Sequence, residues 1–290
     1  MPELPEVEHV RRTLVPHLVG RSLTVQTIGR ADVIRGADGH RFRRSCRLLR
    51  QRLLDGGTVT CLGRLGKHLW IETEGGRRLD VHLGMTGRLT LVRPGRSLTG
   101  VPHVHVTWRI GTREQDEYDR LVFQDPRRFG CLRPFGNGAG HQWVILDRLG
   151  PDGLTIKARE LEARMIARHR PLKAALLDQQ IVAGLGNIYV DESLHRAGLH
   201  PLTRCCAVNR EQYVLLGRSI RAILRQAVVH DGTTLRDYID SEGRPGRFRS
   251  KLKVYGRAGL PCLKCQQPLH TLQVAQRTTV YCPQCQPASL

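Results

Sequence analysis

The second and third residues of the chain are a proline and a glutamate, a pairing that can perform covalent chemistry. A small Pro2 behind an initiator methionine predicts removal of Met1, which leaves a secondary amine at the new terminus. A free α-amine has a reference pKa of about 8, so part of it is unprotonated near neutral pH and can attack an aldehyde-like carbon to form an iminium. Glu3 can then donate or relay protons. The alternative is that Pro2 only marks processing and that Pro5 starts a helix.

Four of the nine cysteines have the spacing of zinc ligands. The pattern C-x2-C-x16-C-x2-C places two thiolate pairs on facing turns of a β-hairpin, which is the arrangement that a tetrahedral Zn²⁺ requires. Two redox-active C-x2-C pairs are the alternative, and the odd total argues against a disulfide framework. The predicted ligands of one structural zinc are Cys262, Cys265, Cys282 and Cys285.

The charge of the chain points to a polyanionic partner. The 290 residues include 46 lysines and arginines against 26 aspartates and glutamates, a net charge of +20. An excess of this size repels itself, and phosphate is the usual compensation, with binding that depends steeply on salt. Charge and zinc pattern together therefore favour nucleic acid. A membrane surface is the alternative, but the sequence contains no lysine-rich amphipathic helix or lipidation signal.

The sequence shows no membrane span and no signal peptide. No apolar run reaches 18 residues, and acidic Glu3, Glu6 and Glu8 occupy the start, where a signal peptide carries positive charge. We therefore expect a soluble protein in the cytoplasm with no membrane partner.

Hydrophobic periodicity divides the chain into parts. A helical stripe from Val7 to Leu18 predicts one N-terminal helix that ends or bends near Pro16. Short alternating or β-branched runs between residues 23 and 123, punctuated by Gly, Pro and Asp clusters, predict an antiparallel sandwich or barrel-like sheet.

The periodicity becomes helical after a glycine-rich stretch at 136–140, which predicts a domain boundary. Basic residues and glycines dominate 241–257, which is typical of a mobile basic loop. The predicted helices in this half are 156–166, 172–177, 188–195 and 211–229.

Five segments follow one another in a distinctive order. They are Pro2-Glu3-Leu4-Pro5-Glu6-Val7-Glu8, His82-Leu83-Gly84-Met85-Thr86-Gly87, Asp125-Pro126-Arg127-Arg128-Phe129-Gly130, Gly184-Leu185-Gly186-Asn187-Ile188-Tyr189 and the four cysteines. In this order and spacing the chain resembles the bacterial formamidopyrimidine-DNA glycosylase family along essentially its whole length. Each motif alone is modest, but the ordered set argues against a chance match.

The resemblance implies an α+β fold in three domains. A β-sandwich catalytic domain with an N-terminal helix would occupy 1–135. A helical DNA-binding domain with a helix-two-turns-helix module would occupy 136–257, and its segment 241–250 matches the family's lesion-recognition loop in outline. A β-hairpin zinc finger would occupy 258–290. We also expect a monomer that needs no nucleotide cofactor.

The resemblance implies a bifunctional DNA glycosylase and lyase of base excision repair. Such enzymes act on damaged double-stranded DNA, remove 8-oxoguanine and formamidopyrimidines, and cut the strand by β- and δ-elimination. Pro2 matches the nucleophile that forms a Schiff base, and Glu3 matches the general acid. Lys67 matches a lysine implicated at the lesion phosphate and in β-elimination. Arg277 matches the finger arginine that grips phosphates and is linked to δ-elimination.

Extrusion of a base costs a few kcal/mol, so the vacated space must be filled. Met85, Arg127 and Phe129 match the family's void-filling residues, although an isolated Met or Phe is more often part of a core. Further candidate DNA contacts, each with an ordinary structural alternative such as a helix cap for the asparagine, are His82, His103, Arg168 and Asn187.

Two other functions stay open from the sequence. The sister enzyme endonuclease VIII shares the nucleophile and zinc hairpin but prefers oxidised pyrimidines; Leu4 and the glycine-rich 241–250 segment favour the purine enzyme. A non-catalytic zinc protein that only binds DNA is the second, and intact Pro2, Glu3 and Lys67 argue against it.

Overall fold

The structure, a computed structural model, describes residues 2–36, 46–111, 116–136, 146–234 and 240–288. The chain divides into two compact units, one of residues 1–147 with 231–246 and one of residues 148–230 with 247–290. This division differs from the three predicted domains, because the zinc hairpin shares a unit with the helices and 231–246 returns to the first unit. Most of the predicted boundary at 136–140 lies outside the described residues.

The first unit begins with helix α1 (Leu4–Leu18). Proline is tolerated in the first turn because the N–H it lacks has no helical partner there, and Pro5 stands in that turn. The apolar stripe on α1, including Val7, Val10 and Leu14, is buried. The helix ends two residues beyond Pro16, since a proline so near the end removes little of the helical hydrogen bonding.

The strands of the first unit form one antiparallel sheet of eight strands in the order β5-β7-β6-β1-β2-β3-β4-β8. A short helix, α2 (Cys46–Arg52), precedes the second strand. The strands are β1 (Ser22–Ile28), β2 (Gly57–Leu65), β3 (His68–Thr73), β4 (Arg78–His82), β5 (Arg88–Val92), β6 (Val104–Ile110), β7 (Arg120–Gln124) and β8 (Cys131–Phe135).

In the part of the chain that the structure describes, the two halves of this sheet pair through Ser22↔Thr58 and Leu23↔Gly57, where β1 meets β2. Apolar side chains from both halves, among them Trp108 on β6 and Val81 on β4, belong to one buried cluster. This confirms the predicted α+β fold with an N-terminal antiparallel sandwich. The sequence did not predict β8, because its Pro134 argues against an interior strand; β8 lies at the sheet edge, where proline is tolerated.

The second unit contains four α-helices among its described residues, followed by a hairpin. The helices are α3 (Ala158–Met165), α4 (Leu172–Leu176), α5 (Asn187–Ala197) and α6 (Arg210–Val229), and the hairpin strands are β9 (His270–Val274) and β10 (Arg277–Tyr281). The hairpin turns at Ala275 and Gln276, whose φ angles of 49° and 59° are typical of a two-residue type I′ turn.

The prediction of one mobile basic loop at 241–257 is wrong for its second half. Phe248, Leu252 and Val254 are buried in the second unit. The carboxylate of Glu192 on α5 accepts hydrogen bonds from the N–H groups of residues 253, 254 and 255. In the sequence these apolar residues are interspersed with arginines and lysines, so the segment had the composition of an exposed loop.

Candidate active site and nucleic-acid interface

The Pro2–Glu3 pair lies at the start of α1, and both residues are buried. The backbone N–H of Glu3 donates to Oε2 of Glu6 at 2.8 Å, and the N–H of Val7 donates to the Glu3 carbonyl at 3.1 Å. Glu3 therefore begins the helix, where the partial positive charge of the N-terminus favours a carboxylate. The helix thus fixes the backbone of the candidate acid directly beside the candidate nucleophile.

Glu8 connects α1 to the turn that carries Lys67. Arg64 on β2 donates from Nε to Glu8 at 3.0 Å and from Nη1 to the carbonyl of Gly66 at 3.0 Å. Lys67 follows in the turn before β3 and is only 8% exposed. Burial raises the pKa of Glu8, but hydrogen bonds from Arg11, Arg12 and Arg64 outweigh it and lower the pKa to about 2. The carboxylate is therefore ionised and able to hold this arrangement near neutral pH.

His82 lies half-buried at the end of β4, close to a buried ion pair. The N–H of Gly84 donates to Nδ1 of His82 at 3.2 Å, so a neutral ring carries its proton on Nε2. Burial, together with repulsion from neighbouring His68, lowers the pKa of His82 to about 3. His68 in turn lies 3.0 Å from Asp80, which also pairs with Arg133. His82 is thus a neutral donor suited to a phosphate oxygen.

One buried carboxylate organises the two turns that carry the candidate void-filling residues. Asp125 accepts hydrogen bonds from the Thr86 hydroxyl at 2.5 Å and from the N–H groups of Arg127 and Gly130 at 3.2 and 2.7 Å. At Gly84 a Cβ atom would lie 2.4 Å from the Gly130 nitrogen, and φ is +60°, so glycine is required there. The turns around residues 84–87 and 125–130 are therefore packed backbone to backbone.

This packing brings Met85, Arg127 and Phe129 together at one surface. Met85 is 37% exposed and Phe129 is 56% exposed, although both are large and apolar. His103 joins them, because its carbonyl accepts the N–H of Asp125 at 3.2 Å. Exposed apolar side chains on a structured turn indicate a binding surface more than a core.

In the second unit, α5 and the zinc hairpin position two further candidates. Asn187 begins α5 and donates from Nδ2 to the Thr278 carbonyl at 3.0 Å, beside exposed Arg277 at the start of β10. Asp191 accepts from Lys173 Nζ at 2.6 Å and from the Val280 N–H at 3.1 Å. Asparagine and arginine thus lie on one face of the second unit.

Arg168 is exposed after α3 and donates from Nε to the carbonyl of Arg164 at 2.7 Å. Its own carbonyl accepts the N–H of Cys206 at 3.1 Å. These contacts fix the backbone around Arg168 and leave most of its guanidinium at the surface.

The four predicted cysteines converge as a metal site, with sulfur atoms all within 4.8 Å of one another. The Cys265–Cys282 and Cys262–Cys285 sulfurs are 3.4 and 4.0 Å apart. A tetrahedral zinc with bonds of about 2.3 Å implies sulfur separations of about 3.8 Å, so the set fits Zn²⁺.

The surroundings of Cys262 favour its thiolate, whereas burial raises the pKa of the Cys282 and Cys285 thiols, which a bound metal would have to deprotonate. Burial raises the pKa of Cys262, but hydrogen bonds from the backbone of Lys264 and Cys265 and from His195 outweigh it and lower the pKa to about 6. Gln286 accepts the Cys282 N–H at 3.0 Å and donates to the Leu199 carbonyl at 2.8 Å. The cysteines hold one structural zinc, which when bound fixes the hairpin that presents Arg277.

Models of known protein families match three successive parts of the chain. Residues 1–132 match the formamidopyrimidine-DNA glycosylase N-terminal domain, residues 149–238 the H2TH domain of that enzyme, and residues 259–288 a zinc finger found in FPG and IleRS. The formamidopyrimidine-DNA glycosylase of Xanthomonas oryzae is 39% identical over 289 residues, covering 99% of this chain and all of its own. That of Thermomicrobium roseum is 38% identical over 99% of both chains.

The chain belongs to the formamidopyrimidine-DNA glycosylase family. Among solved structures, the MutM (Fpg) protein of Thermus thermophilus has a TM-score of 0.82 and 37% identity over the full length of both chains. The Lactococcus lactis Fpg in complex with DNA containing an abasic site has a TM-score of 0.85 and 30% identity over 99% of this chain and all of that chain. This member is accordingly a DNA glycosylase, a zinc-finger enzyme of DNA repair.

Sequence reasoning missed several acidic residues that organise the structure around the candidate site residues of each unit. Glu6 and Glu8 looked only like favourable charges at a helix start, and Asp125, Asp191 and Glu192 had no assigned role. Their acidic character in a chain of net charge +20 was the available signal, because buried carboxylates need partners. Among the helices that the structure describes, none is long and apolar enough to cross a bilayer.

Proposed function

We propose that this glycosylase removes oxidised purines, such as 8-oxoguanine and formamidopyrimidines, from damaged double-stranded DNA and then cleaves the strand as a lyase. The observation that carries the proposal is the arrangement at the start of α1. Buried Glu3 directly follows Pro2, and Arg64 ties the same helix to the turn of Lys67. Relatives that bear the enzyme's name and a solved complex of Lactococcus lactis Fpg with Fapy-dG DNA support the choice of substrate.

In the proposed mechanism, Met1 is removed and the nitrogen of Pro2 attacks C1′ of the damaged nucleotide. The bond from C1′ to the base breaks, and the base leaves with a proton delivered by way of Glu3. Opening of the sugar ring moves the N–H proton of Pro2 to the ring oxygen and produces an iminium, which stays cationic because a secondary amine has no second N–H proton to lose. Loss of a C2′ proton then expels the 3′ phosphate, with Lys67 as a donor at the phosphate, and δ-elimination expels the 5′ phosphate.

The DNA interface in this proposal has two kinds of residue. Met85, Arg127 and Phe129 occupy the space of the extruded base, and their exposure on two turns joined through Asp125 supports this role. Phosphate contacts come from both units. The proposed phosphate ligands are His82, His103, Arg168, Asn187 and Arg277.

The enzyme acts as a monomer without a nucleotide cofactor, in the cytoplasm of a bacterium. Its net charge of +20 supports DNA as the compensating polyanion. The proposed reaction uses catalytic residues of a single chain and includes no step that consumes a nucleotide.

Borohydride trapping tests the proposal. On duplexes with 8-oxoguanine or an abasic site, borohydride should reduce the iminium and crosslink the processed protein to DNA through Pro2. Glu3→Gln should lose base excision but retain lyase activity on a pre-formed abasic site, where no base must leave. A matched duplex with an oxidised pyrimidine separates this function from an endonuclease VIII-like one. An adduct on a lysine, or no adduct, overturns the assignment of the nucleophile.

A further inference from the structure

The segment 231–246 belongs to the first unit and is fastened to the helix that carries Glu3. Oε1 of Glu6 accepts the N–H of Thr233 at 2.6 Å, while Oε2 accepts the N–H of Glu3. Gly232 allows this approach, because a Cβ there would lie 2.8 Å from Oε1, and its φ of +78° favours glycine. One carboxylate therefore links the candidate acid's backbone to a segment more than 220 residues away in sequence.

His9 makes a second and more unusual connection one turn further along α1. Its Nδ1 lies 3.3 Å from Oδ1 of Asp231, and its Nε2 lies 3.0 Å from Oδ2 of Asp240. The two aspartates are nine positions apart in the sequence, so a single imidazole ring connects two separate points of the segment. Both ring nitrogens of His9 therefore face a carboxylate oxygen.

Asp240 also bonds to the backbone of the turn that follows it. Its Oδ1 accepts the N–H groups of Glu242 and Arg244 at 2.9 and 2.8 Å. Asp240 is only 2% exposed, and its second oxygen has His9 at 3.0 Å and the Arg244 guanidinium at 3.7 Å. Burial raises the pKa of Asp240, but hydrogen bonds from His9 and the backbone of Arg244 outweigh it and keep the pKa below its ordinary value.

The turn after Asp240 also contacts the sheet and, at a longer distance, a second histidine of α1. The Leu91 N–H on β5 donates to the Ser241 carbonyl at 2.7 Å. His17, two turns further along α1, lies 3.7 Å from Glu242, which also pairs with Arg244. Among the described residues, His9 is therefore the side chain of α1 that contacts buried Asp240.

We propose that His9 is a positioning residue of this enzyme: by bridging Asp231 and Asp240 it holds the turn at 240–244 in a set place relative to the Pro2–Glu3 end of α1. The consequence for the reaction rests on the proposed function and on the match of 241–250 to the family's lesion-recognition loop. Loss of the bridge then impairs capture of the base more than chemistry on a sugar that has no base.

Residue-resolved hydrogen exchange tests the bridge without reference to catalysis. In His9→Leu, which removes both ring nitrogens, the amides of Glu242 and Arg244 should exchange at least about tenfold faster, since hydrogen bonds to charged groups contribute more than neutral ones. Amides of β3 serve as internal controls and should keep their protection. Unchanged exchange at Glu242 and Arg244 would overturn the proposal.

A conservative variant separates the bridge from a general loss of folding. The amide nitrogen of Gln reaches the position of imidazole Nε2, so His9→Gln should keep most of the protection at 242 and 244 through Asp240. Thr13→Ala is the matched control on α1, because among the described residues the Thr13 hydroxyl bonds to carbonyls of its own helix. If Gln is as damaging as Leu while both proteins remain folded, the bridge to Asp240 is not the cause.

Single-turnover assays then test the positioning role. His9→Leu should slow excision of 8-oxoguanine by about tenfold or more, the effect of losing one charged hydrogen bond, and leave strand cleavage at a pre-formed abasic site within about twofold. Equal loss of both activities overturns the positioning role. Failure of the wild-type enzyme to excise 8-oxoguanine would instead refute the proposed function, and the exchange result would still decide whether the bridge exists.

Discussion

Each unit of the molecule uses a buried aspartate to place residues that we assign to DNA, but the two aspartates are satisfied differently. Within the described part of the first unit, Asp125 accepts from neutral donors, a hydroxyl of a neighbouring turn and backbone N–H groups of its own turn. Asp191 in the second unit pairs with the Lys173 ammonium and reaches Val280 of the zinc hairpin. The first arrangement uses uncharged groups of two packed turns, whereas the second depends on a cation and on a hairpin held by metal.

The difference shows in the electrostatics of Asp191. Burial raises the pKa of Asp191 to about 6, although Lys173 and the Val280 N–H favour the ionised form. Pairing with a cation in a dry interior only offsets the cost of removing both charges from water. Residues around Asp191 should therefore tolerate changes less well than residues around Asp125.

The largest effect should come from the metal. Chelation of zinc, or Cys282→Ser, should abolish DNA binding, because the hairpin that carries Arg277 depends on the ion for its structure. Circular dichroism should change little, since the rest of both units has its own core. Cys61→Ser, at an exposed thiol on β2, is the control and should bind DNA normally. Global unfolding on metal loss would contradict this expectation.

Removal of the cation should be next in size. Lys173→Met leaves Asp191 buried without its charge partner and should lower the free energy of unfolding by about 3–5 kcal/mol. Both side chains are fully buried, so solvent cannot replace the ammonium. Urea denaturation measures the change, and the double variant with Asp191→Asn should recover part of it. A decrease in unfolding free energy below about 1 kcal/mol would mean that the Lys173–Asp191 pair contributes little to stability.

Asp125→Asn should lower the free energy of unfolding by less, about 1–3 kcal/mol. The new amide nitrogen would face a hydrogen-bond donor, and that donor would be left unsatisfied. Excision from duplex should fall with it, since the turns of Met85 and Phe129 share this carboxylate. Asp119→Asn, at a partly exposed pair with Arg120, is the control and should stay near wild type. If the Asp125→Asn protein is less stable but excises the base normally, the arrangement of these turns does not determine excision.

The two surfaces should also differ in salt dependence. Phe129→Ala should weaken excision from duplex far more than cleavage of single-stranded abasic DNA, and should leave the slope of log affinity against log salt nearly unchanged, because Phe neutralises no phosphate. Arg277→Ala should weaken binding to damaged and intact DNA alike and reduce that slope by about one. Identical profiles would mean that the roles of the two residues are misassigned.

The last effect, confined to acid pH, concerns the stability of the first unit. The pKa of Glu8 is about 2 in the folded chain, below its ordinary value of 4.5, so the carboxylate stabilises the fold above pH 4.5 and this contribution is lost as pH falls towards 2. Glu8→Gln should therefore flatten the decline in unfolding free energy between pH 5 and 2, by at most about 3 kcal/mol. A parallel decline in both proteins would show that Glu8 is not the titrating group.

The sequence predicted the elements that have a strong local signal. Helix α1, the short strands and the zinc cysteines follow from periodicity and spacing, and the structure contains them. The partners of Asp125 and Asp191 could not be predicted, because burial of a charge depends on chain segments that meet only in the fold. The same limit hid the return of 231–246 to the first unit, where contacts to Glu6 and His9 span most of the sequence.

That return has a consequence for synthesis of the protein. The chain leaves the ribosome from its N-terminus, so α1 emerges long before Thr233 and Asp240, which complete the contacts of Glu6 and His9. Until residue 246 has emerged, the first unit lacks its last segment, while most of the helices of the second unit are already available to fold. The Pro2–Glu3 end of α1 thus acquires its full set of contacts late, after most of the enzyme has been made.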